Sequence, residues 1–407
     1  MSEVANVAYG GSVRMAFDYT YNEDSNVTRV DLEVGPYNYY KLYNYDELHR
    51  LTYEKKYNSS NQLLYSYDYT YDAVGNRTSM VNFNGSQTIT TNYIYNSLNQ
   101  LMQRSKGGSY SYTYDDNGNM INESLGVDLR LFEYNLDDRM TQAIINEEDE
   151  YGFEYELGGK LLLKTYTDGS QRKYYYDGIR VILEKTKPAQ GSWTTSKVYT
   201  LGGGDIGFII GEREIAGQNN TDKWYHYDRL GNVMAQTNSS GQASTTYDQD
   251  AFGNVLSGSS NGYHLTTKDN HTDIGLYYFY KRWYDPMLGR FIQRDPMYHA
   301  NNRYRYVFNN PIYFIDPFGL MEYCSYDGMI LPCPEIPPSP PGDDNPWTWP
   351  SLKEICECLK KEGNVVMAGG AVICCFHPVG LPIGGGGGVL YLLGWLCDDV
   401  LNIDGEI

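Results

Sequence analysis

The amino-acid sequence predicts a mainly β protein, an array of antiparallel β-hairpins followed by a small tail that is rich in Cys, Pro and Gly and contains some helix. Tyr accounts for 42 of the 407 residues, and a Tyr-containing unit with a turn recurs along most of the chain. All seven Cys and ten of the 16 Pro follow residue 320. Aromatic residues favour strands and Asn or Gly favours turns, so these observations predict hairpins that end near residue 320.

Composition excludes several classes of protein. The net charge is −19, and so acidic a chain does not suit binding to nucleic-acid phosphates. The regular aromatic pattern is unlike that of a disordered chain. No basic start followed by an apolar run occurs near Met1, so a classical signal peptide is not expected. Nothing in the sequence calls for a metal or another cofactor.

The repeating unit is an aromatic residue, any residue, Tyr, and then usually Asp or Asn before a turn. The copies are Tyr19-x-Tyr21, Tyr43-x-Tyr45, Tyr69-x-Tyr71, Tyr93-x-Tyr95, Tyr112-x-Tyr114, Phe132-x-Tyr134, Phe153-x-Tyr155, Tyr174-x-Tyr176, Tyr225-x-Tyr227 and the variant Tyr247-x-x-Asp250. Alternation along a strand places both rings on one face, and the Asp/Asn-x-x-Gly turn tolerates positive φ. Each unit of about 20 residues is therefore a hairpin that must stack on its neighbours.

This repeat resembles the YD repeat of Rhs proteins, of the C component of insecticidal Tc toxins and of the teneurins. The resemblance implies that the hairpins at 1–265 spiral into a shell that encloses a C-terminal polypeptide. Residues 266–320 resemble the Rhs-repeat-associated core. The matching pieces are Gly275-Leu276-Tyr277-Tyr278, Arg282-Trp283-Tyr284-Asp285-Pro286, Gly289-Arg290-Phe291, Asp295-Pro296, Tyr304-Arg305-Tyr306, Asn309-Asn310-Pro311 and Asp316-Pro317-Phe318-Gly319-Leu320.

The resemblance implies a self-cleavage reaction at the bond Leu320–Met321. It assigns two aspartyl-protease-like carboxylates to Asp295 and Asp316, and an assisting Arg to Arg282. Two close carboxylates can divide the roles of base and acid in amide hydrolysis, and Arg can orient one of them. Asp-Pro is also a common turn starter, and a third copy, Asp285-Pro286, is expected only to make a turn. Arg290 is expected to be a structural partner.

The remainder of the chain divides into a Pro-rich linker, 321–350, and a variable effector-like domain, 351–407. A capping box at Ser351–Glu354 predicts a short helix to about residue 362. Residues 364–397 carry no formal charge but are interrupted by Pro and Gly. They fit two core segments, a membrane-contacting hairpin or a degenerate remnant. The seven Cys include no clean Cys-x-x-Cys pair with a distant second pair, so disulfides are expected over a zinc site if the tail is exported.

Two functions remain open. The first is a bacterial Rhs-family, polymorphic-toxin-type protein that encloses its own C-terminal segment as cargo and frees it by single-turnover self-cleavage. Such a protein is cytoplasmic before export or display at the cell surface, and its expected partners are an immunity protein and a secretion-system adaptor rather than nucleic acid. The second is a non-enzymatic surface or adhesion protein with a membrane-associating tail.

Overall fold

The computed structural model describes residues 3–7, 14–34, 37–202, 209–217, 219–258, 262–297, 301–320, 323–326, 329–332, 365–368 and 371–374. The chain divides into two compact units, Met1–Ile336 and Pro337–Ile407. The predicted division at residues 265, 320 and 350 stays a prediction.

One large antiparallel sheet dominates the first unit. Among the described residues it contains 22 strands, and each strand pairs with the next one in sequence. From β1 to β22 their bounds are Glu3–Val7, Arg14–Tyr21, Val27–Val34, Tyr37–Tyr45, Leu51–Asn58, Leu63–Tyr71, Arg77–Phe83, Thr88–Tyr95, Leu101–Ser105, Ser109–Tyr114, Met120–Leu125, Asp128–Tyr134, Met140–Ile145, Asp149–Tyr155, Leu161–Thr165, Gln171–Asp177, Arg180–Lys187, Thr194–Leu201, Ile209–Ala216, Asn219–Tyr227, Val233–Asn238 and Ala243–Thr246. The predicted mainly β hairpin array is confirmed.

The turn after each Tyr-x-Tyr strand has the predicted chemistry. In one copy, Asp72 Oδ1 accepts hydrogen bonds from the backbone N–H groups of Val74 at 3.1 Å and Asn76 at 2.7 Å. Gly75 has φ 84°, a conformation that glycine adopts without steric cost. The acidic residue that follows Tyr-x-Tyr in this copy therefore builds the turn.

The second Tyr of most copies also joins neighbouring hairpins. A register shift just before it marks a β-bulge, as between Thr70 and Tyr71. Its hydroxyl donates at 2.5–2.9 Å to the carbonyl oxygen of the first residue in a neighbouring strand. These pairs are Tyr45 with Val27, Tyr71 with Leu51, Tyr95 with Arg77, Tyr134 with Met120, Tyr155 with Met140, Tyr176 with Leu161 and Tyr227 with Ile209.

Short elements follow the large sheet. From β23 to β32 their bounds are Asp248–Gln249, Val255–Ser257, Gly262–Tyr263, Asp269–His271, Leu276–Tyr278, Trp283–Asp285, Arg290–Phe291, Phe314–Ile315, Tyr323–Tyr326 and Met329–Pro332, and two 3₁₀ turns cover Leu265–Thr267 and Val307–Asn309. Strands β25–β29 form one sheet and β30–β32 another. We call residues 262–320 the core segment; it packs with the inward-facing rings of the large sheet in one hydrophobic cluster.

The core segment is attached to the turns of the array by a repeated contact. Side chains of the core segment donate at 2.5–2.9 Å to carbonyl oxygens of turn residues with positive φ. The pairs are Asn309 with Gly75, Arg290 with Asn99, Tyr304 with Gly118, Gln293 with Asp138, Tyr278 with Gly159, Thr267 with Gly231 and Tyr277 with Gly253. Arg290 is thus a structural partner, as expected. Many residues of the predicted core motif fix this segment against successive hairpins.

Ion pairs of buried side chains also hold the core segment against the array. Arg130 contacts Glu123 within the array and Asp285 of the core segment, the latter at 2.6 Å. Asp285 Oδ1 also accepts from the backbone N–H of Leu288, so the predicted turn is present together with an ion pair. Breaking such a buried pair is costly because it leaves an uncompensated charge.

The second unit contains one described hairpin, β33 (Val365–Ala368) with β34 (Ala371–Cys374). The predicted helix at 351–362 and the seven Cys, apart from Cys324 and Cys374, lie outside the described residues. Strands β31 and β32 lie within the predicted Pro-rich linker. No helix among the described residues is long and apolar enough to cross a membrane.

Candidate active site

The three predicted site residues follow or precede different short strands of the core segment. Arg282 immediately precedes β28, Asp295 lies in the loop after β29, and Asp316 immediately follows β30. Pairing of β28 with β29 brings the first two loops together, and Asp295 N–H donates to the carbonyl oxygen of Arg303 at 2.8 Å. Pairing of these short strands therefore brings the loop of Asp295 close to Arg282.

Arg282 lies at the centre of the group. Its Nη2 atom is 2.8 Å from Asp295 Oδ2 and 3.5 Å from Asp316 Oδ2. The side chains of Arg282 and Asp316 are 3% and 2% exposed, whereas that of Asp295 is 15% exposed. One guanidinium nitrogen therefore lies within reach of both carboxylates.

Asp316 holds the backbone that leads to the predicted scissile bond. Its Oδ1 atom accepts from the N–H groups of Phe318 at 3.2 Å, Gly319 at 2.8 Å and Leu320 at 3.1 Å. Arg282 Nε donates to the carbonyl oxygen of Gly319 at 2.5 Å. Two of the predicted residues therefore fix the segment that ends in Leu320, while Met321 lies outside the described residues.

Asp295 is the carboxylate with access to solvent. Its Oδ1 atom accepts a local hydrogen bond from the N–H of Met297 at 2.7 Å. Arg303 Nε returns a hydrogen bond to the Asp295 carbonyl oxygen at 3.0 Å. A partly exposed carboxylate, a buried carboxylate and a shared cation can serve as base, anchor and charge stabiliser.

A buried lysine near this group was not predicted from the sequence. Lys268 is 2% exposed. Burial lowers its pKa to about 8, against a raising effect of the Asp316 charge.

No group of three or more potential metal-ligating residues occurs among the described residues.

The chain is similar in sequence to a known protein family and to several known proteins. A family model described as Teneurin YD-shell matches residues 2–314, which include Arg282 and Asp295 and end just before Asp316. The chain is 29% identical over 266 residues to the tRNA3(Ser)-specific nuclease WapA of Bacillus spizizenii, a match that covers 62% of this chain and 11% of that protein. It is 25% identical over 241 residues to salivary gland surface protein 1 of Aedes aegypti, covering 55% of this chain and 7% of that one.

A solved structure of the Photorhabdus luminescens Tc holotoxin pore, which contains a TccC3 variant, is also similar. It matches 81% of this chain and 21% of its own chain at 16% identity, with a TM-score of 0.40. The chain spans about a tenth of the length of the WapA relative and about a fifth of the matched Tc chain.

Proposed function

Since the chain belongs to the Teneurin YD-shell family, we propose that its array and core segment enclose the chain's own C-terminal segment and free it by hydrolysis of the Leu320–Met321 bond. The observation that carries this proposal is the contact of Arg282 with both Asp295 and Asp316, beside the backbone of Gly319 and Leu320.

The geometry suggests distinct roles for the two carboxylates. Asp316 is the anchor, since its oxygen accepts three N–H groups of the segment to be cut. Asp295, the more exposed carboxylate, takes a proton from the attacking water and returns it to the Met321 nitrogen as the C–N bond breaks. Arg282 holds both carboxylates and offers positive charge near the carbonyl where negative charge develops.

The released segment, 321–407, is the proposed effector. The similarity to the WapA nucleases of Bacillus supports a bacterial protein that is exported or displayed at the surface. An immunity protein and a secretion-system adaptor are proposed partners, and contact of 364–397 with a membrane is a proposed property of the tail. The nuclease activity in the name of WapA belongs to that protein, and the cargo proposed for this chain carries no Arg.

A non-enzymatic surface protein is the alternative. The match to a protein named salivary gland surface protein 1 favours it. The hydrogen bonds of Asp316 also fit a turn that needs no chemistry.

Cleavage of the full chain separates the two functions. The wild-type chain is expected to yield a fragment that begins at Met321, detected on a denaturing gel and by N-terminal sequencing. Asp295→Asn should slow its appearance by about 100-fold or more, the usual contribution of a positioned acid or base. Asp316→Asn should also slow it, because the carboxylate that holds the Phe318–Leu320 backbone is lost.

Asp137→Asn serves as the control, because Asp137 is a turn carboxylate that is 70% exposed. It should cleave at the wild-type rate. A wild-type chain that stays intact under all conditions would contradict self-cleavage and favour the surface protein.

A further inference from the structure

Phe291 lies against the guanidinium group of Arg282. The guanidinium carbon is 3.7 Å from the centroid of the Phe291 ring, the closest approach of a cationic side chain to an aromatic ring among the described residues. Both side chains are buried, with Arg282 3% and Phe291 0% exposed. Phe291 belongs to the Gly289-Arg290-Phe291 piece of the core motif, in which Arg290 is a structural partner.

The orientation of the Phe291 ring is restricted by three aromatic neighbours. The rings of Phe279, Tyr284 and Tyr306 lie 5.5, 5.6 and 5.9 Å from it, at interplanar angles of 89°, 67° and 75°. Edge-to-face contacts of this kind are the favoured arrangement of aromatic pairs. The surrounding rings therefore hold Phe291 in the position from which it contacts Arg282.

The nitrogen atoms of the same guanidinium group contact the candidate active site. The Nε atom of Arg282 donates to the Gly319 carbonyl oxygen, and the Nη2 atom lies within reach of Asp295 and Asp316. A guanidinium group is planar and can stack on an aromatic ring while its N–H groups bind oxygen atoms. Contact with Phe291 thus restricts the plane in which these nitrogens meet their partners.

Burial makes the contact between Arg282 and Phe291 more effective. A cation is attracted more strongly to an aromatic ring when both are shielded from water. Exclusion of water also strengthens the attraction between the guanidinium group and the two carboxylates. Without the aromatic ring, the guanidinium group would spend less time in the orientation that serves Asp295 and Gly319 together.

We propose that Phe291 is a positioning residue for the self-cleavage proposed above, on which this inference rests. Its ring holds the Arg282 guanidinium group in the orientation that serves both carboxylates and the Gly319 carbonyl oxygen. Phe291 acts through Arg282 and does not touch the reacting bond.

Fluorination of the Phe291 ring tests this role with little change in packing. Each fluorine withdraws electron density from the ring and weakens its attraction for a cation, while the ring keeps nearly the same size. The test replaces Phe291 in the full chain by phenylalanine with one, two or three ring fluorines and follows fragment release and the melting temperature. The cleavage rate should fall with each fluorine, by about threefold to thirtyfold for the trifluorinated ring.

Phe252 is the matched control. It is 1% exposed, and its ring centroid lies 4.2 Å from the guanidinium carbon of Arg77. Among the described residues, Arg77 lies within 4 Å of neither Asp295 nor Asp316. Fluorination of Phe252 should lower the melting temperature by a similar amount but leave the cleavage rate at the wild-type value.

Phe291→Leu is a second variant, because Leu keeps an apolar side chain but has no aromatic ring. It should slow cleavage at least as much as the trifluorinated ring does. If Phe291→Leu does not fold, the fluorinated series decides.

The other outcomes are distinguishable. A cleavage rate that does not change with fluorination of Phe291 would overturn its role but leave self-cleavage standing. Equal slowing by fluorination at Phe291 and Phe252 would also overturn this role, because the effect would then come from a general loss of stability. A wild-type chain that never cleaves would overturn the proposed function itself and, with it, the role of Phe291.

Discussion

Gly319 is the residue at which the candidate site depends most on backbone conformation. Its φ is 71°, and a Cβ atom added there would lie 2.8 Å from the Phe279 carbonyl oxygen and 3.4 Å from the backbone nitrogen of Arg282. Its N–H donates to Asp316 and its carbonyl oxygen accepts from Arg282. A side chain here would displace the backbone that both site residues hold.

Gly319→Ala should therefore slow cleavage strongly, and we expect a loss of about tenfold or more together with roughly 1–3 kcal/mol of stability. Fragment release and denaturant unfolding measure the two effects. Gly107→Ala is a matched control, because Gly107 has φ 67° and no atom within 4 Å of an added Cβ. Gly107→Ala has the same conformational cost, but its added Cβ atom meets no neighbouring atom. Equal cleavage by both variants would therefore contradict the close fit at Gly319.

The sequence pointed to three candidate site residues but did not predict their mutual geometry. The core motif pointed to Arg282, Asp295 and Asp316, and the structure brings them together. The bridging position of Arg282 depends on strand pairing that no local pattern reveals. Lys268 was missed because a single lysine carries no sequence signal, and its burial comes from the distant packing partners Phe279 and Tyr280.

The second Tyr of most repeat units contributes more than packing. The hydroxyl of Tyr71 donates to the Leu51 carbonyl oxygen at 2.8 Å, and six further copies repeat this contact between hairpins. Alternation along a strand predicted the common face of the two rings. The bulge that brings the hydroxyl to the neighbouring strand has no sequence signature of its own, so this contact was not predicted.

Tyr71→Phe should destabilise the first unit by about 1 kcal/mol, the usual net contribution of one hydrogen bond. The loss should be measured as a change in the midpoint of urea unfolding. Tyr57→Phe is the control, since Tyr57 is half-buried and stacks on Tyr40, and the described residues show no hydrogen bond of its hydroxyl. Identical midpoints for wild type and Tyr71→Phe would mean that the repeated contact adds nothing.

Within the first unit, strands that are far apart in sequence meet through buried polar contacts. Lys41 of β4 donates to the Gln249 carbonyl oxygen at 2.7 Å, and Glu54 of β5 accepts from the Ala251 N–H at 2.6 Å. Lys56 pairs with Asp248 at 2.9 Å. The repeat spacing predicted the hairpins but not this meeting of early and late copies, because spacing along a chain does not determine how far a sheet curves.

Asp250 makes this contact region sensitive to pH. It occupies the turn position of the last repeat and is 3% exposed. Burial, and then the nearby charge of Glu54, raises the pKa of Asp250 to about 7. The folded chain keeps this proton up to about pH 7, whereas the unfolded chain loses it near the ordinary value of 3.8. The contribution of Asp250 to stability is therefore full below about pH 4 and is lost as the pH rises to 7.

Asp250→Asn should remove this loss. Asn occupies the same turn position at Asn96, where it accepts from the N–H groups of Leu98 and Gln100, so the turn can form without a carboxylate. At pH 8 the variant should be more stable than wild type by on the order of 1–4 kcal/mol, with little difference at pH 4. Asp72→Asn, at the same position of an earlier and half-buried turn, controls for the substitution itself. If the stability of wild type and of Asp250→Asn changes in parallel between pH 4 and pH 8, this carboxyl group does not make the contact between the early and late hairpins sensitive to pH.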